Sequence, residues 1–262
     1  MLDEALVKTY DGKHITFDNN SLFTDESHTK LKEMPILGDL YNELLKNQKM
    51  ANVAAIINLL VNGSASNFNG QTNIDLDNKY IVFDLTDLSG RLKPVGMYIA
   101  LDYIWCKVKE DRTVSKAVFI DEVWHLIGAS SNAYTADFVL ELFKTIRGYA
   151  GSAVAASQDL NDFFALEDGK YGKAIISNSS IKIIKYLETA EAAAVQQAMG
   201  LTENELRAVQ RFNRTQGLFC ANNNKVAVEF VASPLEKALI TTDPRELEQL
   251  KELGYEKTIC NY

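Results

Sequence analysis

The sequence has 262 residues, of which 47% are hydrophobic and 24% are charged, and its formal net charge is −8. This composition is that of an ordinary globular chain with one domain, or one domain and a subdomain, and its acidic balance argues against broad, non-specific nucleic-acid binding. The longest apolar stretch, residues 53–61, is far shorter than the roughly 18 residues of a membrane span, and the cysteines are too far apart for a metal site or a disulfide framework.

The first 78 residues are predicted to be mainly helical. After Pro35, apolar side chains recur at helical spacing, and a second helix is expected to end at Asn62-Gly63. A polar loop over residues 64–73 closes this part of the chain. The predicted elements are a helix over residues 4–10, a short strand over 14–17, a helix from Pro35 to residue 45 and a helix over 50–61.

From residue 79 onward, predicted strands and helices alternate, which is typical of an α/β domain with a mostly parallel sheet flanked by helices. The helix over residues 93–109 is apolar around most of its circumference and is therefore predicted to be buried. The predicted strands cover residues 80–85, 117–120, 152–157 and 181–186, and a hairpin covers 216–221 and 225–231. The other predicted helices cover residues 134–149, 160–166, 171–177, 190–199 and 202–212, and two more begin at Pro234 and Pro244.

Two adjacent carboxylates, Asp121 and Glu122, directly follow the unbroken apolar run of residues 117–120. Such a run is typical of a parallel strand that is buried on both faces, and its carboxyl end lies on the rim where open α/β sheets bind ligands. This is the pattern of the Walker B strand of P-loop NTPases, in which the Asp holds Mg²⁺ through water and the Glu polarises the attacking water. A buried strand that ends in two solvated acids without a catalytic role fits the pattern equally well.

Two further polar residues are candidates for the same site. Gln158 ends the next predicted strand, and because neighbouring parallel strands lie about 4.8 Å apart, its side chain should converge with the two acids. It would then sense a γ-phosphate or hold the attacking water, or alternatively only cap the following helix. Arg147 ends a helix, where it either contacts phosphate or complements the helix dipole. Trp124 and Leu126 are predicted to be core residues, and His125 is predicted to be a surface or packed residue and not a base.

Several segments, in order and at approximate spacing, resemble successive motifs of one ATPase family. They are residues 73–85, 118–124, 147–151, 156–158, 176–178 and 216–218. Together they resemble the carboxyl-terminal RecA-like motor of the conjugative type IV secretion ATPases, the VirB-type (TraC/TraE-like) family, from about residue 34 onward.

The resemblance implies a RecA-like P-loop NTPase core that uses ATP and Mg²⁺. It also implies a typically hexameric motor, cytoplasmic and peripheral at the cytoplasmic face of the cell membrane. The implied partners are further copies of the chain, other type IV secretion components, the base of the inner-membrane channel and the DNA substrate of conjugation.

The resemblance also implies roles for individual residues. Asp121 would be the acid linked to Mg²⁺, Glu122 the catalytic base and Gln158 the γ-phosphate sensor. Arg147 would act on nucleotide, with a position across a subunit boundary as one option.

Lys173 falls where relatives often have an arginine, and a lysine cannot reproduce the bidentate fork of a guanidinium group. Gln216 and Gly217 would lie near the nucleotide base.

The phosphate-binding GxxxxGK[ST] loop is absent from the sequence, which is a departure from the family. In the family this loop precedes a helical insertion, so we expect residues 1–78 to be that insertion and residues 79–262 to be the distal part of the motor. A chain without the loop is expected to bind no nucleotide tightly and to be inactive alone. The strand that leads into this loop in the family would then be missing as well. In the family it would lie between the strand that ends at Gln158 and the strand over residues 181–186. We expect residues 14–17 or a second molecule to fill the resulting gap.

Two alternatives remain open on the sequence alone. The first is a hexameric DNA-pumping motor of the FtsK/HerA type, which the acidic balance disfavours and which salt-dependent DNA binding would identify. The second is a non-catalytic docking module of the secretion channel, in which the remaining motor surface only binds partners.

Overall fold

The computed structural model describes residues 1–72, 78–85, 88, 92–129, 131–158 and 160–252. The chain divides into two compact units, Met1–Gly96 and Met97–Tyr262. The sequence instead predicts a boundary between residues 78 and 79, where the insertion expected from the family ends. That boundary is defined by the family resemblance and not by contacts within the chain, so it stays a prediction. Residues 73–77, which open the first of the family-like segments, lie outside the described residues.

The described part of the first unit includes the helices α1 (Leu2–Asp11), α2 (Leu37–Leu45) and α3 (Ala51–Val61). Their apolar faces meet in a small core formed by Ala5, Leu44, Met50 and Ala54. The predicted helices are therefore confirmed. The strand predicted over residues 14–17 is wrong: none of these residues is in a strand, and the φ of His14 is +56°, in the left-handed region that strands do not use.

The strand predicted over residues 80–85 is also wrong. These residues form no strand, and Tyr80 and Val82 are 81% and 63% exposed. The sequence has the apolar, β-branched character of a strand, but a strand also needs a neighbour that satisfies its backbone N–H and C=O groups. Neither of the two sheets in the described residues includes this segment.

The long helix α4 (Leu92–Glu110) lies where the sequence predicts a helix. Only one side of it is buried, with Trp105 and Val108 in a core cluster. The opposite side exposes Tyr98 and Ile99 by about half, so the predicted burial around most of its circumference is wrong.

A parallel pair of strands follows. Strand β1 (Lys116–Ile120) leads through the short helix α5 (Trp124–Ile127) and the helix α6 (Ala133–Thr145) into β2 (Gly151–Ala155), and β1 and β2 pair in parallel from Lys116↔Gly151 to Ile120↔Ala155. Helices α4 and α6 cover one face of this pair around Val118.

The other face of the β1–β2 pair is uncovered. Phe119, which pairs with Val154, is 74% exposed, and Val154 is 45% exposed. The predicted burial of β1 on both faces is therefore wrong. Parallel strands normally have covering elements on both faces. Among the described residues, no element covers the apolar face around Phe119 and Val154.

Helices α7 (Leu160–Phe163) and α8 (Lys170–Asn178) lead to the second sheet. This sheet has the order β3-β4-β5 and is antiparallel, with β3 (Ile181–Ile184), α9 (Thr189–Met199), α10 (Glu203–Val209), β4 (Gln216–Ala221) and β5 (Asn224–Glu229) in chain order. The predicted hairpin is thereby confirmed. Helices α11 (Pro234–Ile240) and α12 (Pro244–Glu252) begin at prolines, as predicted.

The second sheet is also covered on one face only. Ile184, Leu218 and Cys220 lie in a core with residues of α9 and α10. On the other face, Ile181 and Ile183 are 59% and 51% exposed.

In the described part of the chain, β2 pairs only with β1 and β3 only with β4, so each has a free edge. Because residues 14–17 form no strand, the prediction that they supply the missing strand is wrong. The α/β class is confirmed, with helices flanking a parallel pair. None of the helices in the described residues has both the length and the apolar character to cross a lipid bilayer.

Candidate active site

The carboxyl ends of β1 and β2 are joined by two hydrogen bonds beyond the strands themselves. The N–H of Ala156 donates to the carbonyl of Ile120 at 3.0 Å, and the N–H of Val123 donates to the carbonyl of Ala156 at 2.9 Å. Val123 is fully buried. The turn that carries Asp121 and Glu122 is therefore fixed against the end of β2.

Glu122 stands in this turn with a left-handed backbone, φ +48°. A non-glycine residue in this conformation costs roughly 1–3 kcal/mol and persists only where the surrounding structure holds it. Here the hydrogen bonds of Val123 and Ala156 supply that support, and the carbonyl of Glu122 also accepts from the N–H of His125 at 3.0 Å.

The structure brings Gln158 to the same rim. Its backbone N–H lies 3.5 Å from Oε2 of Glu122, and its side chain is exposed. Asp121 is exposed as well, and its Oδ1 accepts from the N–H of Glu122 at 3.0 Å. The two acids and the backbone of Gln158 thus lie at the joined ends of two parallel strands.

The donor set at this rim fits a magnesium nucleotide better than it fits a metal held by protein alone. In the described residues there is no group of three or more His, Cys, Asp or Glu side chains that could hold a metal ion. Mg²⁺ usually keeps several waters and binds one or two carboxylates together with the phosphates of the substrate. Asp121, exposed and with one oxygen already oriented by a backbone N–H, suits such a contact through water.

Arg147 is not brought to this rim. It lies in a 3-10 turn (Ile146–Tyr149) that immediately precedes β2, whereas Gln158 follows β2. The five residues of β2, at about 3.3 Å each, separate Arg147 from the acids of its own chain by roughly 16 Å. Arg147 is exposed and makes no ion pair within the described part of the chain.

The three remaining candidates lie on other elements. Lys173 is exposed on α8, where its Nζ donates to the carbonyl of Asp168 at 2.8 Å. Gln216 and Gly217 begin β4, and because Leu218 pairs with Ile184, they lie beyond the carboxyl end of β3. Gly217 is buried, and a side chain there would meet the carbonyl of Ile184 at 3.2 Å.

Sequence reasoning missed one contact of the site. Trp124, predicted as a core residue, is only half-buried, and its indole N–H donates to Oε2 of Glu122 at 2.6 Å. The signal in the sequence was a side chain with an N–H donor two residues after the second acid. Leu126 is buried and His125 packs against the Trp124 ring at 3.7 Å, in agreement with the predictions for these two residues.

Comparisons with known proteins identify the family and the fold of the chain. The profile of the TraG P-loop domain matches residues 31–237. The fold is similar to the structure of VirB4 of Thermoanaerobacter pseudethanolicus, with a TM-score of 0.75 and 25% sequence identity over 90% of this chain. The match covers 64% of the VirB4 chain, so this chain spans less than two thirds of the length of that relative.

Weaker matches are found to the genome packaging NTPase B204 from Sulfolobus turreted icosahedral virus 2. The complex of B204 with AMPPCP is 11% identical over 59% of this chain and 74% of its own, with a TM-score of 0.44. The complex with ATP-gammaS is 12% identical over 58% of this chain and 74% of its own, with a TM-score of 0.40. No curated protein sequence matches the chain.

Proposed function

The chain belongs to the TraG P-loop domain family, and from this premise we propose that it is the ATPase motor module of a conjugative type IV secretion system. Its resemblance to the conjugative type IV secretion ATPases is confirmed by the family match and by the likeness to VirB4. The motor would hydrolyse ATP to power assembly of the channel and transfer of DNA or protein.

The observation that supports this proposal most directly is the rim at the joined ends of β1 and β2. Asp121 and Glu122 follow β1, and the N–H of Gln158 lies 3.5 Å from a carboxylate oxygen of Glu122. A P-loop NTPase needs an acid for Mg²⁺, a group that orients the attacking water and a polar sensor of the γ-phosphate. This rim offers one side chain for each task.

The proposed mechanism divides these tasks as follows. Asp121 would hold Mg²⁺ through water, and the ion would supply neutralisation of the phosphate charge. Glu122 would accept the proton of the attacking water as the water oxygen bonds to the γ-phosphorus and the bond from that phosphorus to the leaving ADP oxygen breaks. Gln158 donates an amide hydrogen to the γ-phosphate.

Hydrolysis by this scheme requires a phosphate-binding segment that the sequence does not contain. Backbone N–H groups and a lysine wrapped around the phosphates supply most of the nucleotide affinity of P-loop enzymes. We infer that residues 1–262 are inactive alone and become active when such a segment completes the site.

The proposed active form is an oligomer, the hexamer that is typical of the family. Arg147 is exposed at the end of β2 away from the acids, so it cannot serve the site of its own chain. A guanidinium group at this position would act on nucleotide held by the neighbouring subunit.

Three further residues are proposed to contact nucleotide in the completed site. They are Lys173 on α8 and Gln216 and Gly217 beside β3.

The motor is proposed to work at the cytoplasmic face of the cell membrane, bound to the base of the inner-membrane channel and to other secretion components. The uncovered apolar faces around Phe119 and Ile183 supply surface for such contacts. A docking module without catalysis would use the same faces, and hydrolysis measurements separate these two functions.

The test is the substitution Glu122→Gln in a form of the protein that contains a phosphate-binding loop. We expect ATP binding to be retained and hydrolysis to slow by about 10²–10⁴-fold, the usual contribution of a positioned acid–base group. Steady-state phosphate release measures the rate, and equilibrium titration measures binding.

The matched control is Glu141→Gln, which changes an exposed acid on α6 away from the rim and should leave both quantities unchanged. Hydrolysis by Glu122→Gln at the parent rate would show that Glu122 is not the base.

A further inference from the structure

The two oxygens of the Glu122 carboxylate have different surroundings. Oε2 accepts from the indole N–H of Trp124 at 2.6 Å and lies 3.5 Å from the backbone N–H of Gln158. Within the described part of the chain, no hydrogen bond of Glu122 involves Oε1. One oxygen is therefore fixed and the other is open.

The backbone on each side of Glu122 fixes the direction of its carboxylate. The φ of +48° at Glu122 sets the direction of its side chain, and the hydrogen bonds of Val123 and Ala156 fix that turn against β2. Trp124 is the first residue of α5 and packs against His125, with ring centroids 3.7 Å apart. Its indole thus has a packing contact apart from the carboxylate to which it donates.

A catalytic base must present one oxygen at about 2.6–3.2 Å from the water that it deprotonates. A glutamate on a freely rotating side chain would meet this condition only part of the time, whereas a carboxylate with one oxygen held by a fixed donor keeps the other in a constant direction. Misplacement of a reacting group by about 1 Å costs up to about 100-fold in rate.

We propose that Trp124 is a positioning residue for Glu122, and that its indole N–H holds Oε2 so that Oε1 faces the attacking water. This inference rests on the proposed function, in which Glu122 is the catalytic base. The hydrogen bond itself can be tested without that premise, and the two experiments below therefore separate the two ideas.

The first experiment uses residues 1–262 and the indole N–H signals of the two tryptophans in a ¹H–¹⁵N NMR spectrum. Trp124→Phe identifies the signal of Trp124. We expect this signal to move upfield in Glu122→Gln and further in Glu122→Ala, because a hydrogen bond to a charged acceptor is stronger than one to a neutral amide or to water.

The signal of Trp105 is the internal control. Trp105 packs edge-on against Phe138 and Tyr149 in the core of α4 and α6, so an unchanged Trp105 signal shows that the fold is intact. An unmoved Trp124 signal in both Glu122 variants would overturn the inference.

The second experiment measures hydrolysis in a form that contains a phosphate-binding loop. Trp124→Phe keeps an aromatic ring but removes the N–H, and we expect kcat to fall by about 10- to 100-fold with KM for ATP unchanged. Trp105→Phe makes the same substitution in the core and should leave kcat unchanged.

The outcomes distinguish the two ideas. If Glu122→Gln slows hydrolysis and Trp124→Phe does not, the positioning role is wrong and the proposed function stands. If Glu122→Gln itself retains the full rate, the assignment of Glu122 as the catalytic base is wrong, and the positioning role is overturned with it. A fall in kcat in both variants with KM unchanged supports both.

Discussion

Ala150 has a left-handed backbone conformation, with φ +55° and ψ +30°, where the 3-10 turn before β2 ends. For an L-residue this conformation costs roughly 1–2 kcal/mol, and glycine adopts it freely. The chain reverses direction here so that β2 can begin at Gly151. The strain is therefore a cost of placing β2 beside β1.

We expect Ala150→Gly to raise the free energy of unfolding by about 0.5–1 kcal/mol, because relief of the strain exceeds the extra freedom of glycine in the unfolded chain. Urea unfolding followed by circular dichroism measures the change. The matched control is Ala194→Gly in the exposed part of α9, which should lower the free energy of unfolding by about 1 kcal/mol. Destabilisation by both substitutions would contradict the assigned backbone conformation.

At the scale of elements, the amino terminus of α10 is fixed to the second sheet through Glu205. The carboxylate accepts from the N–H of Thr202 at 2.7 Å and from Nζ of Lys225 at 3.2 Å. The Thr202 backbone N–H is the main reason that the pKa of Glu205 lies below its ordinary value, and the Thr202 hydroxyl and Lys225 act in the same direction. One side chain thus joins a helix cap to the β4–β5 hairpin.

We expect Glu205→Ala to lower the free energy of unfolding at pH 7 by about 1 kcal/mol, the usual value of a cap. Because the folded pKa is depressed, the carboxylate stabilises the fold above the unfolded value of about 4.3, and this contribution is lost as the pH falls through the folded pKa. The difference between the two proteins should therefore shrink when urea unfolding is repeated below pH 4.

The control for this prediction is Glu248→Ala, an exposed acid on α12 for which the described residues offer no hydrogen bond or ion pair. It should change the free energy of unfolding little at either pH. A pH-independent difference between Glu205→Ala and the parent would show that the stabilisation comes from packing and not from charge.

The uncovered faces of the two sheets are a second feature at this scale. Phe119 and Val154 on the parallel pair and Ile181 and Ile183 on the second sheet remain about half exposed or more. An apolar sheet face with a free edge beside it favours association with another molecule.

We expect the chain to self-associate in solution, and Phe119→Ser to weaken that association, as measured by light scattering over a range of concentrations. Tyr134→Ser is the control, since it removes an aromatic residue that is 82% exposed on α6 and not on a sheet. A monomer for the parent chain at all concentrations would argue against the apolar face as a contact surface.

At the scale of the whole molecule, the sequence contains the proposed NTPase rim but not the GxxxxGK[ST] loop that holds phosphate. We expect residues 1–262 to bind a non-hydrolysable ATP analogue with Mg²⁺ no tighter than about 1 mM, or roughly −4 kcal/mol. Titration calorimetry measures this constant directly. A micromolar dissociation constant would reveal a phosphate site elsewhere in the chain.

Local features of the fold could be predicted from the sequence. The capping box at Thr202 and Glu205 and the hairpin of β4 and β5 depend on residues that are close in the chain, and both are present. The rim residues could be proposed because strand ends are marked by a change from apolar to polar side chains.

The features that sequence reasoning missed depend on distant parts of the chain. Residues 80–85 have strand character but form no strand, because strand pairing depends on parts of the chain that are distant in sequence. The contact between Trp124 and Glu122 depends on a left-handed backbone at Glu122, which side-chain periodicity does not reveal. Arg147 lies at the other end of the strand pair from the acids because β2 runs parallel to β1, and this direction is known only from the pairing of the two strands.

The strained backbone at Glu122 also has a consequence for evolution. Glycine would relieve the left-handed conformation, yet it would remove the carboxylate. Selection for thermal stability alone would favour replacement of Glu122. Under the proposed function, selection for ATP hydrolysis would retain it, so stability and activity would oppose each other at this position. In relatives that no longer hydrolyse ATP, we therefore expect Glu122 to be among the first residues replaced.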